Sequence, residues 1–320
     1  MKAAVYHRTG APEVLSYEDL PSPSCGPREV KIDVKAIAVE GGDVLNRAHG
    51  EKPEGAFVVG YTAAGVVVET GAEIDGVKLG DRVTTVSFAG SHAEQRVAPG
   101  FGCWVLPDNV SFEQGACFPV TFGTAQDALF EFGRLQRGET VLVQGGAGGV
   151  GVACIQLAKL AGATVIATAS ADSRLAALTE FGLDHGINYR DKNLTQEVMN
   201  ITAGRGVDVV IDPVGGEVLE QSIASAGRRG RIVSVGTAGR DFSKVNVSGL
   251  APGNKSLTGV FLGAEMASAR AYEMVADLLH RAGMGEIHMP IDRQYALADA
   301  AQAHAYIESR QAVGRVILVP

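Results

Sequence analysis

The chain has few cysteines, no cluster of basic residues and no long hydrophobic run, and each absence excludes a class of protein. The cysteines are scattered and never stand two residues apart, so the sequence indicates neither a disulfide framework nor a cysteine-rich zinc lobe. They are Cys25, Cys103, Cys117 and Cys154, and we expect reduced, mostly packed thiols. The net charge of −8, with no block of Lys and Arg, excludes a nucleic-acid partner bound through its phosphates.

Hydropathy and length bound the location and the number of domains. No stretch reaches the roughly 20 apolar residues that a membrane-spanning helix needs. The first residues lack an apolar run followed by a small-residue cleavage site, so we expect a cytoplasmic protein with no membrane partner. A chain of 320 residues is expected to form two domains, and its 41 glycines indicate tight turns or close backbone contacts.

The first third of the chain has the pattern of short strands joined by turns. Residues 30–37 alternate apolar and polar side chains, residues 64–69 have the pattern of a buried strand, and residues 80–84 turn into another. No strand here is followed by a helix long enough for a βαβ unit, which predicts an antiparallel β domain.

After Pro119 strands and helices alternate, which predicts a parallel sheet covered on both faces by helices. The predicted strands cover residues 140–144, 164–168, 186–189, 207–212, 231–235 and 256–260. The predicted helices cover residues 124–132, 173–181, 194–202 and 218–226, with a further apolar helix that ends at residue 161. Helices at 267–282 and 297–309 precede a final strand at 314–319, which we expect to rejoin the first domain.

Directly between a predicted apolar strand and a predicted apolar helix lies a glycine-rich turn, Gly146-Ala147-Gly148-Gly149-Val150-Gly151. In this context the pattern indicates a dinucleotide site. We expect Gly146 to form the tight turn, Gly148 to let the pyrophosphate approach and Gly151 to bring helix and strand close together. The N–H groups at the helix start, at Gly149 and Val150, would then bind the phosphates. The alternative is a glycine-rich turn without a ligand.

The residues after the second predicted strand of this sheet favour NADPH over NADH. That strand ends without the Asp or Glu that commonly holds the ribose 2′-hydroxyl of NAD. Ser170 follows it, Arg174 comes one helical turn later, and Tyr189 ends the next strand. A cation and hydroxyl groups suit a 2′-phosphate, although Arg174 as a solvated helix charge is the alternative. Asp172 either begins a helix, where the dipole favours it, or binds the ribose.

On these motifs the sequence resembles the medium-chain dehydrogenase/reductase superfamily, and more narrowly its zinc-independent NADPH:quinone oxidoreductase branch, which includes zeta-crystallin. The resemblance covers essentially the whole chain and rests on residues 80–83, 145–151, 156–159, 162–163, 187–190, 206–208, 212 and 215. It implies an α/β fold in which residues 123–263 form a doubly wound parallel Rossmann sheet. This domain is inserted in a GroES-like, mostly antiparallel β catalytic domain made of residues 1–122 and 264–320.

The resemblance also implies site residues and a partner. It places Ser170, Arg174 and Tyr189 around the adenosine 2′-phosphate of NADPH. The residues that it places near the nicotinamide are Thr124, Gly236, Thr237, Phe261 and Leu262. It further implies a homodimer that forms by pairing of edge strands near residues 255–260.

The sequence departs from the alcohol dehydrogenases of that superfamily at the catalytic zinc. Residues 60–62 read Gly-Tyr-Thr where those enzymes have Gly-His-Glu, and residues 40–43 stand where they have a Cys ligand. Catalytic zinc needs three protein ligands, which cannot be assembled at these positions. His49 and His92 remain, but two histidines without a third ligand are expected to be surface or core residues. We therefore expect no metal.

Without a metal, the protein has to position the nicotinamide against an electrophile that is already activated. Quinones need little further help, whereas enones and enoyl thioesters need a donor for the enolate and a proton. The candidate polar groups are Glu40, Asp43, Asn46, Arg47, Tyr61 and Thr124. Asp43 and Arg47, four residues apart, either form a helical ion pair or act in catalysis. Tyr61 either binds a substrate carbonyl or fills the space left by zinc.

The leading hypothesis is an NADPH-dependent reductase of quinones or related α,β-unsaturated carbonyls. An enoyl-thioester or enone double-bond reductase is one alternative. A non-enzymatic NADPH-binding protein of the crystallin kind is another.

Overall fold

The computed structural model describes residues 1–51 and 53–320, which divide into two compact units. The first unit consists of Met1–Val120 and Glu265–Pro320, and the second of Thr121–Ala264. The chain thus changes units after Val120 and Ala264, whereas the sequence interpretation placed the breaks after residues 122 and 263. No helix within the described residues is long and apolar enough to cross a membrane.

The regular elements are given in chain order. The strands are β1 (Lys2–Tyr6), β2 (Ser16–Asp19), β3 (Glu29–Ala38), β4 (Phe57–Val58), β5 (Thr62–Thr70), β6 (Arg82–Val86), β7 (Gln95–Pro99), β8 (Cys103–Val105), β9 (Thr140–Val143), β10 (Thr164–Ala169), β11 (His185–Asn188), β12 (Val207–Asp212), β13 (Ala226–Ser234), β14 (Ser256–Gly259), β15 (Ile291–Ala296) and β16 (Arg315–Val319). The α-helices are α1 (Gly41–His49), α2 (Phe112–Cys117), α3 (Gly123–Gln126), α4 (Gly149–Leu160), α5 (Asp172–Ala176), α6 (Leu194–Ile201), α7 (Glu217–Ser225), α8 (Ala269–Gly283) and α9 (Ala300–Glu308).

The first unit is built on a seven-stranded sheet in the order β15-β16-β3-β5-β6-β8, with β7 paired to β3, and a three-stranded sheet in the order β2-β1-β4. The pairings are antiparallel except for that between β15 and β16. β3 alternates buried Val30, Ile32 and Val34 with more exposed residues, which is the pattern of a sheet covered on one face. The last strand rejoins this unit, as predicted, where Ile317 pairs with Ala38.

The second unit is a six-stranded sheet in the order β11-β10-β9-β12-β13-β14, and every pairing in it is parallel. Its first strand, β9, lies in the middle, and the order runs outwards from β9 to one edge and from β12 to the other. This is the strand order of a dinucleotide-binding Rossmann sheet, whose ligands bind at the carboxyl ends of the strands where the order reverses. The predicted α/β fold class is confirmed.

The helix predicted at residues 124–132 starts earlier than expected. Helical structure begins at Phe112, where the hydroxyl of Ser111 accepts a hydrogen bond from the N–H of Gln114. The run continues through two π-helical segments, Phe118–Phe122 and Asp127–Phe132. Pro119 lacks an N–H, and a π turn, which bonds five residues apart, is a way for a helix to change register at such a residue.

Most of the other predicted helices end one residue or more before their predicted last residue. The helix predicted at residues 173–181 ends at Ala176 and is followed by a 3-10 turn at Thr179–Phe181. Gly182, with φ of 102°, ends that turn in the left-handed conformation that glycine readily adopts. The helix predicted to reach residue 226 ends at Ser225, because Ala226 already belongs to β13.

Candidate functional site

The glycine-rich turn follows β9 at the point where the strand order reverses. Gly145, directly before it, is left-handed with φ of 60°. The N–H of Gly148 donates to the carbonyl of Gly145 at 3.0 Å, so Gly146 lies in a tight turn, as expected. Gly146 is needed for another reason, since a Cβ there would lie 2.7 Å from the Cβ of Ala167. Thr168 holds both residues: its hydroxyl accepts from the N–H of Gly145 at 3.0 Å, and its carbonyl accepts from the N–H of Gly146 at 2.8 Å.

The start of α4 fits an anionic ligand. A Cβ on Gly151 would lie 2.5 Å from the carbonyl oxygen of Gly145, so only glycine allows this close approach of helix and turn. Gly148 is the N-cap and has no side chain that could satisfy the first N–H groups of the helix, at Gly149 and Val150. Such N–H groups, together with the positive end of the helix dipole, bind phosphate groups. The turn therefore fits the pyrophosphate of a dinucleotide.

A cation and a hydroxyl meet at the ends of β10 and β11. The guanidinium of Arg174, in α5, donates to the hydroxyl of Ser170 at 2.9 Å. Tyr189 is half exposed. Its N–H donates to the carbonyl of Ala169 at 3.1 Å, so Tyr189 lies beside the end of β10. Asp172 is the first residue of α5 and accepts from the amide of Asn188 at 3.2 Å, as expected for a residue that begins a helix. The corner thus has the chemistry of a 2′-phosphate site.

The residues expected near the nicotinamide lie in this same unit. Gly236 and Thr237 follow β13, and Phe261 and Leu262 follow β14, at the carboxyl edge of the sheet because all its strands are parallel. Phe261 is exposed and Leu262 is buried. Thr124 is buried in α3.

In the first unit, Tyr61 and Asn46 form a hydrogen-bonded pair. The amide of Asn46, in α1, donates to the phenol oxygen of Tyr61 at 2.8 Å. A Cβ on Gly42 would lie 2.4 Å from the ring of Tyr61, so the ring lies directly on the first turn of α1. Since the phenol oxygen accepts from Asn46, its own hydrogen can be donated to a carbonyl oxygen of a substrate.

Asp43 lies beneath this pair as a fully buried carboxylate. It accepts from the N–H of Glu40 at 2.8 Å and from the N–H of Tyr61 at 3.2 Å, so it ties the start of α1 to the segment that carries the phenol. Burial raises the pKa of Asp43 to about 8, and the neighbouring Glu40 carboxylate adds to the rise. Burial, and then the charge of Asp43, also raise the pKa of Tyr61.

The predicted ion pair between Asp43 and Arg47 was wrong. Arg47 is fully buried, and its guanidinium donates to the carbonyl of Gly10 at 2.7 Å and pairs with Glu308 in α9. Spacing of four residues allows a contact on a helix surface, but here both side chains face inward and find partners in other elements.

Sequence reasoning missed a group of buried basic residues next to this site. The Nε2 atoms of His92 and His304 are 3.1 Å apart, and Ser91 contacts the other ring nitrogen of His92. Burial lowers the pKa of His92 to about 3, with a further contribution from Arg96. Arg96 donates to the carbonyl of Tyr61 at 2.9 Å. His92 is thus a core residue, one of the two interpretations that its sequence left open, whereas His49 is exposed.

The strand order and the glycine-rich turn define the second unit as a dinucleotide-binding unit. Residues 26–120 match the family described as "Alcohol dehydrogenase GroES-like domain", and residues 149–281 the family described as "Zinc-binding dehydrogenase". The chain is 33% identical to the quinone oxidoreductase of Pseudomonas aeruginosa over 97% of both chains. It is 30% identical to a 2-haloacrylate reductase of Burkholderia sp, over 99% of this chain and 98% of that protein.

Solved structures agree with these sequence matches. Escherichia coli quinone oxidoreductase complexed with NADPH has a TM-score of 0.95 and 29% identity, with 100% of both chains covered. The chain therefore belongs to the medium-chain dehydrogenase/reductase superfamily, in its quinone oxidoreductase branch.

The side chains present do not fit the zinc that the second family description names. Glu40, at the former ligand position, pairs with Arg315 at 2.7 Å and lies 3.5 Å from the hydroxyl of Thr62. Asp43 is already bonded to two N–H groups. Across the described ranges 1–51 and 53–320 there is no group of three or more His, Cys, Asp or Glu residues that could hold a metal ion.

Gly42→Ala should disrupt the pair of Asn46 and Tyr61, because the new Cβ would overlap the phenol ring. We expect a loss of about 1–3 kcal/mol in the free energy of unfolding, as for other overpacked sites. Gly41→Ala is the matched control, since a Cβ there has no atom within 4 Å. It should stabilise α1 by up to about 1 kcal/mol. Equal effects of the two substitutions in urea unfolding would contradict this packing.

The stability of Asp43→Asn should increase relative to that of the wild type as the pH rises. In the folded protein the pKa of Asp43 is raised to about 8. The protonated form therefore contributes fully to the free energy of unfolding below the pKa that Asp43 has in the unfolded chain. This contribution is lost as the pH rises through about 8. The difference in free energy of unfolding between variant and wild type should therefore shift towards the variant between pH 5 and about 8. Asp75→Asn, at an exposed carboxylate, controls for the loss of a charge. A constant difference across this range would rule out the raised pKa.

Proposed function

We propose that this chain is an NADPH-dependent, zinc-independent oxidoreductase that reduces quinones or related α,β-unsaturated carbonyls. The contact of Arg174 with Ser170, beside the glycine-rich turn, is the observation that carries the choice of cofactor. The relative from Escherichia coli, whose structure contains NADPH, supports it. The relatives named as quinone oxidoreductases and as a haloacrylate reductase support the two substrate classes.

In this proposal the second unit binds the cofactor. NADPH supplies a hydride when it is bound. Arg174, Ser170 and Tyr189 hold the 2′-phosphate, because a guanidinium and hydroxyl groups both donate to phosphate oxygens. The N–H groups at the start of α4 hold the pyrophosphate. We also retain as a proposal that the nicotinamide is contacted by Thr124, Gly236, Thr237, Phe261 and Leu262.

The first unit supplies the groups that act on the substrate. Tyr61 donates its phenol hydrogen to a substrate oxygen, and Asn46 keeps the phenol oriented by donating to its oxygen. Asp43 and Arg47 are fully buried and bonded to other parts of this unit. We therefore propose that both act as positioning residues for α1 and Tyr61 and do not touch the substrate.

A second candidate substrate is an activated carbon–carbon double bond next to a carboxyl or carbonyl group. The phenol hydrogen of Tyr61 favours it, because reduction of such a bond puts negative charge on the conjugated oxygen, where a donor stabilises it. One relative is named a 2-haloacrylate reductase, and a haloacrylate is a substrate of this kind. A protein that binds NADPH tightly but reduces neither class would instead be a binding protein of the crystallin kind.

We further propose a cytoplasmic homodimer. β14 is an edge strand of the second unit and pairs only with β13 among the described strands. Unpaired N–H and C=O groups on such an edge are a template for pairing with a second copy.

Arg174→Ala should weaken NADPH binding by about 10- to 100-fold, the loss expected for a hydrogen bond to a charged group. NADH affinity should stay near that of the wild type, because NADH has no 2′-phosphate. Both dissociation constants can be measured by quenching of protein fluorescence. Arg228→Ala, at an exposed arginine near the start of β13, is the matched control and should change neither affinity. An unchanged preference for NADPH in Arg174→Ala would refute the assignment.

Tyr61→Phe should lower kcat for an enone by about 10-fold or more, because the donor to the developing enolate is lost. The loss with a quinone should be smaller, since a quinone is reduced without such help. Turnover is followed through the absorbance of NADPH, and Tyr17→Phe, at an exposed tyrosine of β2, is the control. Equal rates for wild type and Tyr61→Phe with both acceptors would remove Tyr61 from the mechanism.

Gly259→Pro should convert a dimer to monomers if β14 pairs between copies. The N–H of Val260 donates to Ser234 of β13, so the N–H of its neighbour Gly259 faces the open edge of β14, where a proline could not donate to a partner strand. Light scattering gives the mass in solution. A wild-type mass equal to the 33.3 kDa of one chain would contradict the dimer.

A further inference from the structure

Four buried polar side chains are linked to one another, three at the carboxyl ends of the neighbouring strands β10, β9 and β12 and one on helix α7. We call them the buried relay, and they are Thr168, Gln144, Ser222 and Asp212. The hydroxyl of Thr168 donates to the amide oxygen of Gln144 at 2.9 Å, and the amide nitrogen of Gln144 donates to the hydroxyl of Ser222 at 3.0 Å. Ser222 in turn donates to the carboxylate of Asp212 at 2.6 Å.

The direction of every bond in the buried relay follows from its last member. A carboxylate only accepts, so the single hydrogen of Ser222 must go to Asp212. The oxygen of Ser222 can then only accept from Gln144, which turns the amide oxygen of Gln144 towards Thr168. Thr168 therefore gives its hydrogen to Gln144 and keeps its lone pairs for other donors. The carboxylate thus sets the orientation of a hydroxyl two strands away.

Each end of the buried relay holds a loop. At one end the oxygen of Thr168 accepts from the N–H of Gly145, the left-handed residue directly before the glycine-rich turn. At the other end Asp212 accepts from the N–H groups of Val214 and Gly215 at 2.8 and 2.9 Å. These loops follow β9 and β12, between which the strand order reverses, where dinucleotides bind in such sheets.

We propose that the buried relay is a positioning device that fixes the glycine-rich turn in the conformation that binds the cofactor's pyrophosphate. This inference rests on the proposed binding of NADPH. Thr168, Gln144, Ser222 and Asp212 touch no part of the cofactor in this proposal and act through the backbone of the two loops. The loss of a member leaves its neighbours buried without a partner, so the turn is held less firmly.

Thr168→Val tests the relay, and Thr202→Val is its matched control. Thr202 is also buried in the second unit, its hydroxyl donates to a carbonyl, and its oxygen accepts from the N–H of Gly206 at 3.0 Å. It lies just before β12, at the amino-terminal edge of the sheet. Both substitutions remove a hydroxyl that bonds a glycine N–H at the same distance, so both should lower the melting temperature.

Only Thr168→Val should weaken the binding of NADPH. Its Kd, measured by calorimetry, should rise about tenfold, as expected for the loss of one buried hydrogen bond. Thr168→Ser keeps the hydroxyl and should restore the affinity. Adenosine 2′-monophosphate has no pyrophosphate, so its affinity should be equal in all variants. Equal NADPH affinity in Thr168→Val and wild type, or the same loss in Thr202→Val, would overturn the proposal. If Thr168→Val does not fold, Ser222→Ala applies the same test at the next link.

Asp212→Asn tests the direction of the relay. The new amide would donate to Ser222 and disturb the order of donors as far as Thr168. Because either substitution alone breaks the chain, Asp212→Asn combined with Thr168→Val should bind NADPH about as well as Asp212→Asn alone. Losses that simply multiply would show two independent contacts and refute the relay. Absence of NADPH binding in the wild type would instead refute the proposed function, which keeps the two failures distinct.

Discussion

The ion pair between Glu40 and Arg315 is the interaction on which the polar site of the first unit depends. Both side chains are almost wholly buried, and buried charges are tolerated only when they are paired and hydrogen-bonded. Arg315, on the last strand, also donates to the carbonyl of Val39 at 2.5 Å, so it fixes the chain just before α1. Glu40 is the N-cap of that helix. This pairing therefore holds the start of α1, the helix that carries Asn46.

The parallel sheet and its glycine-rich turn could be predicted because their signals are local. The central strands β9, β10 and β12 each carry an apolar run, and the parallel arrangement then brings the residues after β10 and β11 to one edge. The start of helical structure at Phe112 was missed, although Ser111 is a common N-cap residue, because Pro119 suggested a break. The contact of Thr168 with the N–H groups of Gly145 and Gly146 could not be predicted, because it joins residues that are more than 20 positions apart.

Partners distant in the sequence could not be predicted from spacing. Arg47 binds Glu308, 261 residues away, and His92 meets His304, 212 residues away. The period of a helix gives the neighbours on its own surface, but not the side chains that other elements bring to its buried face. The buried relay left a weaker signal. Gln144 and Asp212 are polar residues at the ends of apolar, buried strands. Because they are shielded from solvent there, their polar groups need partners within the protein.

The ring of Tyr61 lies on the first turn of α1 and occupies the space that a side chain at position 42 would need. The size of the residue at position 61 therefore sets how much room lies beside the amide of Asn46. A smaller residue there would leave a cavity of about the size of a phenol ring, with a hydrogen-bond donor on its wall. A change in the side chain at position 61 would thus let the same backbone accept bulkier carbonyl compounds. Glycine at position 42 would keep the helix in place.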